Sequence, residues 1–196
     1  MQFRLIRGDG NCAPRSILLS LLDNDPQAVF KLNHALEQLD ADDEIQGEVK
    51  KYVSENIHNS DGELITPEEL TKKIQTTKSL DIALMLALRM SAIKKIKLDS
   101  EKYKFFLLDG EDATNDILEK PFAYFNHSCI EAVLDALQSR MRIVDVTNIK
   151  NTEDGHVEIL SGPDNDAEAV PLIVRVGCHY ISGKNPTNPD DLNEFS

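Results

Sequence analysis

Two hydrophobic periods run along this chain, and the change from one to the other divides it. From Asp25 to Lys97 apolar residues recur every three or four positions. Val29, Leu32, Ala35, Leu36 and Leu39 form one such set, and Ile45, Val49, Tyr52 and Val53 another. That spacing stacks side chains on one helical face, so the stretch reads as a run of helices. Asn59-Ser60-Asp61-Gly62 interrupts it as a turn. Thr66-Pro67-Glu68-Glu69 marks a helix start, with threonine as cap, proline next and acids in the first turn. Ser79 to Ile93 is apolar nearly all round and is expected to be a buried helix. Asp99 to Pro121 reads as a loop with a short helix around Asp112 to Glu119.

Beyond residue 127 the period shortens. Ser128 to Ser139 still reads as a helix, with Ile130, Val133, Leu134 and Leu137 on one face. Met141 to Val146, His156 to Leu160, Val170 to Val176 and His179 to Ser182 are then short strand-like runs, split by Asn151–Gly155 and Ser161–Glu168. At the other end, Gln2 to Arg7 reads as a strand that Gly8-Asp9-Gly10 breaks. A helix is expected from Asn11, a favourable N-cap residue, with Pro14 in its first turn and Ile17, Leu18, Leu21 and Leu22 on its apolar face. The fold expected is a single α+β domain over residues 1–184. A small mixed sheet, built from the last third plus the first strand, packs among helices. Residues 185–196, rich in Pro, Asp and Asn, read as a flexible C-terminal tail.

Composition narrows the picture. A length of 196 residues fits one domain, and 41% apolar with 28% charged residues excludes a collagen-like, disordered or coiled-coil chain. The net charge of −13 repels phosphate backbones, which argues against general nucleic-acid binding and suits a basic protein partner. Cys12, Cys129 and Cys178 are odd in number and widely spaced, so a reducing compartment fits better than a disulfide framework or a zinc site. No signal-peptide pattern occurs, and the apolar run Leu80 to Ile93 is too short to span a bilayer. A cytoplasmic, monomeric protein is expected, acting in a host cytosol if it is a secreted effector. The acidic runs lack calcium-loop spacing, and Gly8-x-Gly10 is too short for a nucleotide fingerprint. No metal or organic cofactor is implied.

The chemistry concentrates at Gly8-Asp9-Gly10-Asn11-Cys12. A cysteine at the first turn of a helix meets the positive end of the dipole, which favours a thiolate nucleophile. The same turn leaves backbone N–H groups suited to an oxyanion hole. A small buried hydrophobe at a helix start is the alternative role for Cys12. A nucleophilic cysteine needs a base, and sequence spacing does not choose it. His34 and His58 fall in polar helical segments. His127, His156 and His179 remain candidates, and His179, at a strand junction after an apolar strand, has the most suitable position.

Asp9-Gly10-Asn11-Cys12, followed by Arg15-Ser16, resembles the nucleophile motif of the ovarian-tumour (OTU) cysteine proteases, which are mostly deubiquitinases. The helix carrying Glu131, the strand Arg142-Ile143-Val144 and the pair His179-Tyr180 continue the resemblance in the family's order. The resemblance implies an OTU-like catalytic domain without a cofactor. Cys12 would be the nucleophile, His179 the general base and then acid, and Asp9 the motif aspartate that shapes the turn. The backbone amides of Gly10, Asn11 and Cys12 would form the oxyanion hole. Ubiquitin or polyubiquitin would be the partner, with other ubiquitin-like modifiers or a non-catalytic ubiquitin-binding module as alternatives. One position departs from the family. Two residues after the histidine, where many members carry Asp or Asn, stands Ile181. Asp9, Asp145 or a backbone carbonyl is left to orient the imidazole.

Overall fold

A computed structural model of the chain describes residues 2–4, 6–104, 125, 127–146, 157–163, 170–176 and 179–184. Within these residues the helices are α1 (Cys12–Asn24), α2 (Ala28–Glu37), α3 (Glu44–Ile57), α4 (Pro67–Thr76), α5 (Lys78–Leu98), α6 (Ser100–Lys104) and α7 (His127–Ala136). The strands are β1 (Gln2–Arg4), β2 (Met141–Asp145), β3 (Val157–Ser161), β4 (Leu172–Val176) and β5 (His179–Lys184). They form one mixed sheet in the order β1-β5-β4-β2-β3, parallel only between β2 and β4. The α+β architecture read from the sequence is the one observed.

Local chemistry explains two of the helix starts. Thr66 caps α4 through a full capping box. Its hydroxyl accepts from the Glu69 amide, and the Glu69 carboxylate accepts from the Thr66 amide, so two otherwise unpaired donors are satisfied. Asp43 caps α3 by accepting from the Gln46 amide. The turn at 59–62 is tied by the Asn59 side chain, which accepts from the amides of Asp61 and Glu63. Ile45 departs from its expected place on the buried face and is 63% exposed. The periodicity is right, but α3 buries only its C-terminal half, through Val53 and Ile57.

The core lies between α5, α7, α1 and one face of the sheet. Alternation along the strands puts Met141, Ile143, Ile173 and Tyr180 on that face, and all four are buried. Ile17, Leu18 and Leu21 of α1 meet Leu84 and Leu88 of α5 and Ile130 and Leu134 of α7 in the same cluster. Helix α1 is buried on all sides from Cys12 to Leu22, more than the single apolar face expected. Its Ser20 hydroxyl donates to the carbonyls of Leu172 (2.9 Å) and Gly183 (3.3 Å), which staples the helix to β4 and β5.

The sheet register also sets the geometry of the site. In the β1–β5 pair, Gln2 faces Lys184 and Arg4 faces Ser182. The chain leaving β1 therefore runs back toward the start of β5, where His179 stands. The expected helix at 112–119, the turn at 151–155, most of the 161–168 loop and the tail from Asn185 lie outside the described residues. Among the described residues no helix is long and apolar enough to cross a membrane.

Candidate active site

Cys12 opens α1 and is buried, with 3% of its surface exposed. The loop that delivers it turns at Gly10, whose φ of 79° is a conformation that residues with a β-carbon rarely adopt. Two residues earlier the backbone meets the imidazole. A β-carbon at position 8 would lie 2.8 Å from His179 Cε1 and 3.2 Å from its Nδ1. Only glycine lets the ring rest against this backbone. The structure thus brings His179, exposed at the head of β5, onto the loop that ends in Cys12.

The loop is held from inside the protein. Asp9 accepts from the Asn11 amide (3.1 Å) and from Arg15 at both oxygens, Nη1 to Oδ1 at 2.8 Å and Nη2 to Oδ2 at 3.0 Å. Arg15 turns its remaining edge to Asp81 of α5, through Nε to Oδ1 (2.8 Å) and Nη2 to Oδ2 (2.9 Å). Burial raises the Asp9 carboxyl, but the Arg15 hydrogen bonds, the Asn11 amide and the Arg15 charge outweigh it and hold its pKa below the ordinary 3.8. Burial likewise opposes the Arg15 charge, and its bonds to Asp81 and Asp9 overcome that and keep the guanidinium firmly protonated.

A second arginine reaches the same loop. Arg89 of α5 is 1% exposed. Its Nε and Nη2 donate to Asn11 Oδ1 at 2.9 and 2.8 Å, and Nη2 also donates to the Gly10 carbonyl at 3.0 Å. The guanidinium lies over the Phe125 ring, 4.7 Å from its centroid. Burial pushes its pKa down to about 10, against the opposing pull of Cys129, Asp9 and Cys12, so it stays a cation at neutral pH.

Two expectations change on this geometry. Asn11 occupies the N-cap position of α1, but its side chain caps nothing, because its oxygen is taken by Arg89. Its amide, expected to face an oxyanion, donates to Asp9 instead. The side chains named as orienting groups for His179 are also engaged. Both Asp9 oxygens hold Arg15, and Asp145 pairs with Arg175 Nη1 at 3.2 Å. Arg175 sits opposite Tyr180, and Ile181 sits opposite Val174 within the sheet.

The other candidates fall elsewhere. His34 lies 3.8 Å from Glu37, and His58 Nδ1 is 2.7 Å from the Ser54 carbonyl. His127 opens α7 with Nε2 3.4 Å from Glu131. Burial raises the Glu131 carboxyl, but His127 and the Gly162 amide, which donates at 2.9 Å, lower it below its ordinary 4.5. Cys129 is fully buried on α7, as a core residue is. His156 and Cys178 lie outside the described residues. Among the described residues no group of three or more His, Cys, Asp or Glu is placed to hold a metal ion.

A cysteine at a helix head and an imidazole packed on the loop that leads to it are the two groups a thiol hydrolase uses. The sequence profile of the Peptidase C65 Otubain family matches residues 1–180. This chain belongs to the otubain peptidases. Among solved structures, the otubain fold recurs in ceOTUB1 within a ubiquitin aldehyde UBC13~Ub complex. That match has a TM-score of 0.65 and 21% identity, over 92% of this chain and 77% of that one. It recurs in h/ceOTUB1 with ubiquitin aldehyde and UBCH5B~Ub, with a TM-score of 0.65 and 20% identity over 94% of this chain and 76% of that one. No curated protein sequence matches the chain.

Three residues around the candidate site carry no local signal in the sequence. Asp81 and Arg89 read as polar interruptions of an apolar helix, and Gly8 as one of several glycines in a turn. The charges inside Leu80–Ile93 were the available clue, since a helix that buries itself all round tolerates ionised groups only where something pairs them.

Proposed function

We propose that this otubain is a deubiquitinase that hydrolyses the isopeptide bond at the ubiquitin C-terminus through an acyl-enzyme on Cys12. The observation that carries the reading is His179 packed on Gly8, four residues before the thiol at the helix head. The solved relatives support the substrate, since they are described with ubiquitin aldehyde and with ubiquitin conjugates.

In this reading the Cys12 thiolate attacks the carbonyl of the ubiquitin terminus, and the oxyanion forms against the amides of Gly10 and Cys12. His179 takes the thiol proton first and gives it to the departing lysine amine. It then activates the water that releases ubiquitin. Asp9 serves as a positioning residue for the loop. The catalytic domain spans residues 1–184 and the tail 185–196. The net charge of −13 steers the basic ubiquitin tail toward a cytoplasmic, monomeric enzyme.

The test is release of a fluorophore joined to the ubiquitin C-terminus by an amide. Native protein is expected to turn over, with slower association as salt rises. Cys12→Ala is expected to be inactive, and His179→Ala to lose about 10²- to 10⁴-fold. Saturable ubiquitin binding without turnover by the native protein would overturn the enzyme reading in favour of a binding module. Turnover confined to the tail of another modifier would overturn the substrate.

A further inference from the structure

We propose that Arg89 is a positioning residue for this reaction, locking the Gly10–Asn11 peptide in the one orientation that aims the neighbouring amides at the oxyanion. The proposal rests on the deubiquitinase reading and adds a residue to it. The Gly10 carbonyl and the Asn11 amide are two ends of a single peptide plane. Arg89 donates to the carbonyl end at 3.0 Å, and the amide end donates to Asp9 at 3.1 Å. Asp9 is itself fixed by Arg15. One plane is thus gripped from both sides by groups anchored in the core.

The grip matters because this plane rotates about ψ of Gly10 and φ of Asn11, and Gly10, without a β-carbon, offers little steric resistance at its end. A flip would take the Asn11 amide off Asp9 and turn the Gly10 carbonyl toward that carboxylate, so the turn that carries the Gly10 and Cys12 amides would have to reshape. Arg89 also fastens the Asn11 side chain with a two-nitrogen contact on Oδ1, so the residue between Gly10 and Cys12 has neither free backbone nor free side chain.

The position of Arg89 argues for a role beyond packing. Its inward neighbours on α5 are Met85, Ala92 and Ile96, all buried. An apolar side chain of similar volume would fill the site without desolvating a cation. The guanidinium instead spends its donors on the Gly10 carbonyl and the Asn11 side chain, within electrostatic reach of Cys12. Asn11→Ala removes only the acceptor and leaves the guanidinium charge in place.

The experiment measures kcat and KM on the fluorogenic ubiquitin amide, with melting temperatures, for Arg89→Lys, Arg89→Met, Asn11→Ala and the Arg89→Met/Asn11→Ala double variant. Folded Arg89→Met is expected to lose kcat by about 10- to 100-fold, with KM changed less than about threefold. Arg89→Lys is not expected to rescue it, because an ammonium cannot span Asn11 and Gly10 together. The double variant is expected to be no worse than the weaker single variant. Native kcat in folded Arg89→Met or Arg89→Lys, a loss confined to KM, or additive losses in the double variant would each overturn the proposal. If Arg89→Met does not fold, Arg89→Lys decides, and native kcat there overturns it. A native protein that releases no fluorophore sinks the deubiquitinase reading, whereas native turnover with unaffected variants sinks only the role of Arg89.

Discussion

The two halves of the site are built to different standards. The cysteine side is fixed from within the core. Two arginines, two aspartates and an asparagine tie the loop to α1 and α5 through buried, charge-assisted hydrogen bonds. The histidine side is an exposed residue at a strand end, set in place by close packing on Gly8. The carboxylates nearest in sequence logic, Asp9 and Asp145, are committed to arginines. Ile181, two residues after His179 on β5, offers no polar group to orient the ring. The difference teaches that positional precision here is invested in the thiol and the turn beside it. The imidazole relies on contact with a backbone that the same network holds still.

If that contrast is right, damage to the cysteine side should cost stability as well as rate, and damage to the histidine side should cost rate alone. The largest stability effect is expected at Asp81. Asp81→Asn leaves the buried Arg15 guanidinium short of one carboxylate, and the side chains of this pair are each 7% exposed. A loss of about 3 kcal/mol is expected in denaturant unfolding, as for other buried pairs broken on one side. An unchanged midpoint would show that Asp9 alone satisfies Arg15.

Gly8→Ala tests the other half. Its β-carbon would press on the imidazole, so the ring must move while the fold barely notices. We expect kcat to fall by roughly 10- to 100-fold, the scale of a misplacement near 1 Å, with a melting temperature close to native. Equal loss of stability and rate would contradict the division of labour.

Acid should act next, through Asp9 on the cysteine side and Glu131 on α7. Asp9 and Glu131 both have folded pKa values below their ordinary 3.8 and 4.5. A depressed carboxyl contributes stability that is fully present above its unfolded pKa and is lost as pH falls through the folded value. Stability should therefore stay flat for these groups down to about pH 5 and decline below about pH 4. Asp9→Asn should flatten part of that decline. The smallest effect is expected far from the site, where Thr66→Ala removes a capping box, costs about 1 kcal/mol and leaves kcat unchanged.

The sequence disclosed elements better than it disclosed partnerships. The cap at Thr66, the turn at Asn59 and the strands of the last third rest on local chemistry, and each could be read from neighbouring residues. Cys12 and His179 were reachable because their motifs resemble those of a family. Asp81 and Arg89 were not, because Arg89 meets the loop, and Asp81 the arginine that holds it, from a helix that periodicity describes only as apolar. A buried ion pair and a stray surface charge look alike until the helix has a neighbour. Gly8 needed the β1–β5 register, which fixes where the chain returns beside His179. Asn11 was misjudged for a related reason. An asparagine before a helix is a good cap unless a stronger donor claims its oxygen, and that donor lies on a different helix.

The most direct test of the central claim is intact-mass spectrometry after incubation with ubiquitin that carries a C-terminal thiol-reactive electrophile. Native protein, Cys12→Ala and His179→Ala would be compared side by side. The account predicts a single covalent adduct with the native protein, none with Cys12→Ala and slower formation with His179→Ala. No adduct with the native protein, or an adduct that survives Cys12→Ala, would contradict it.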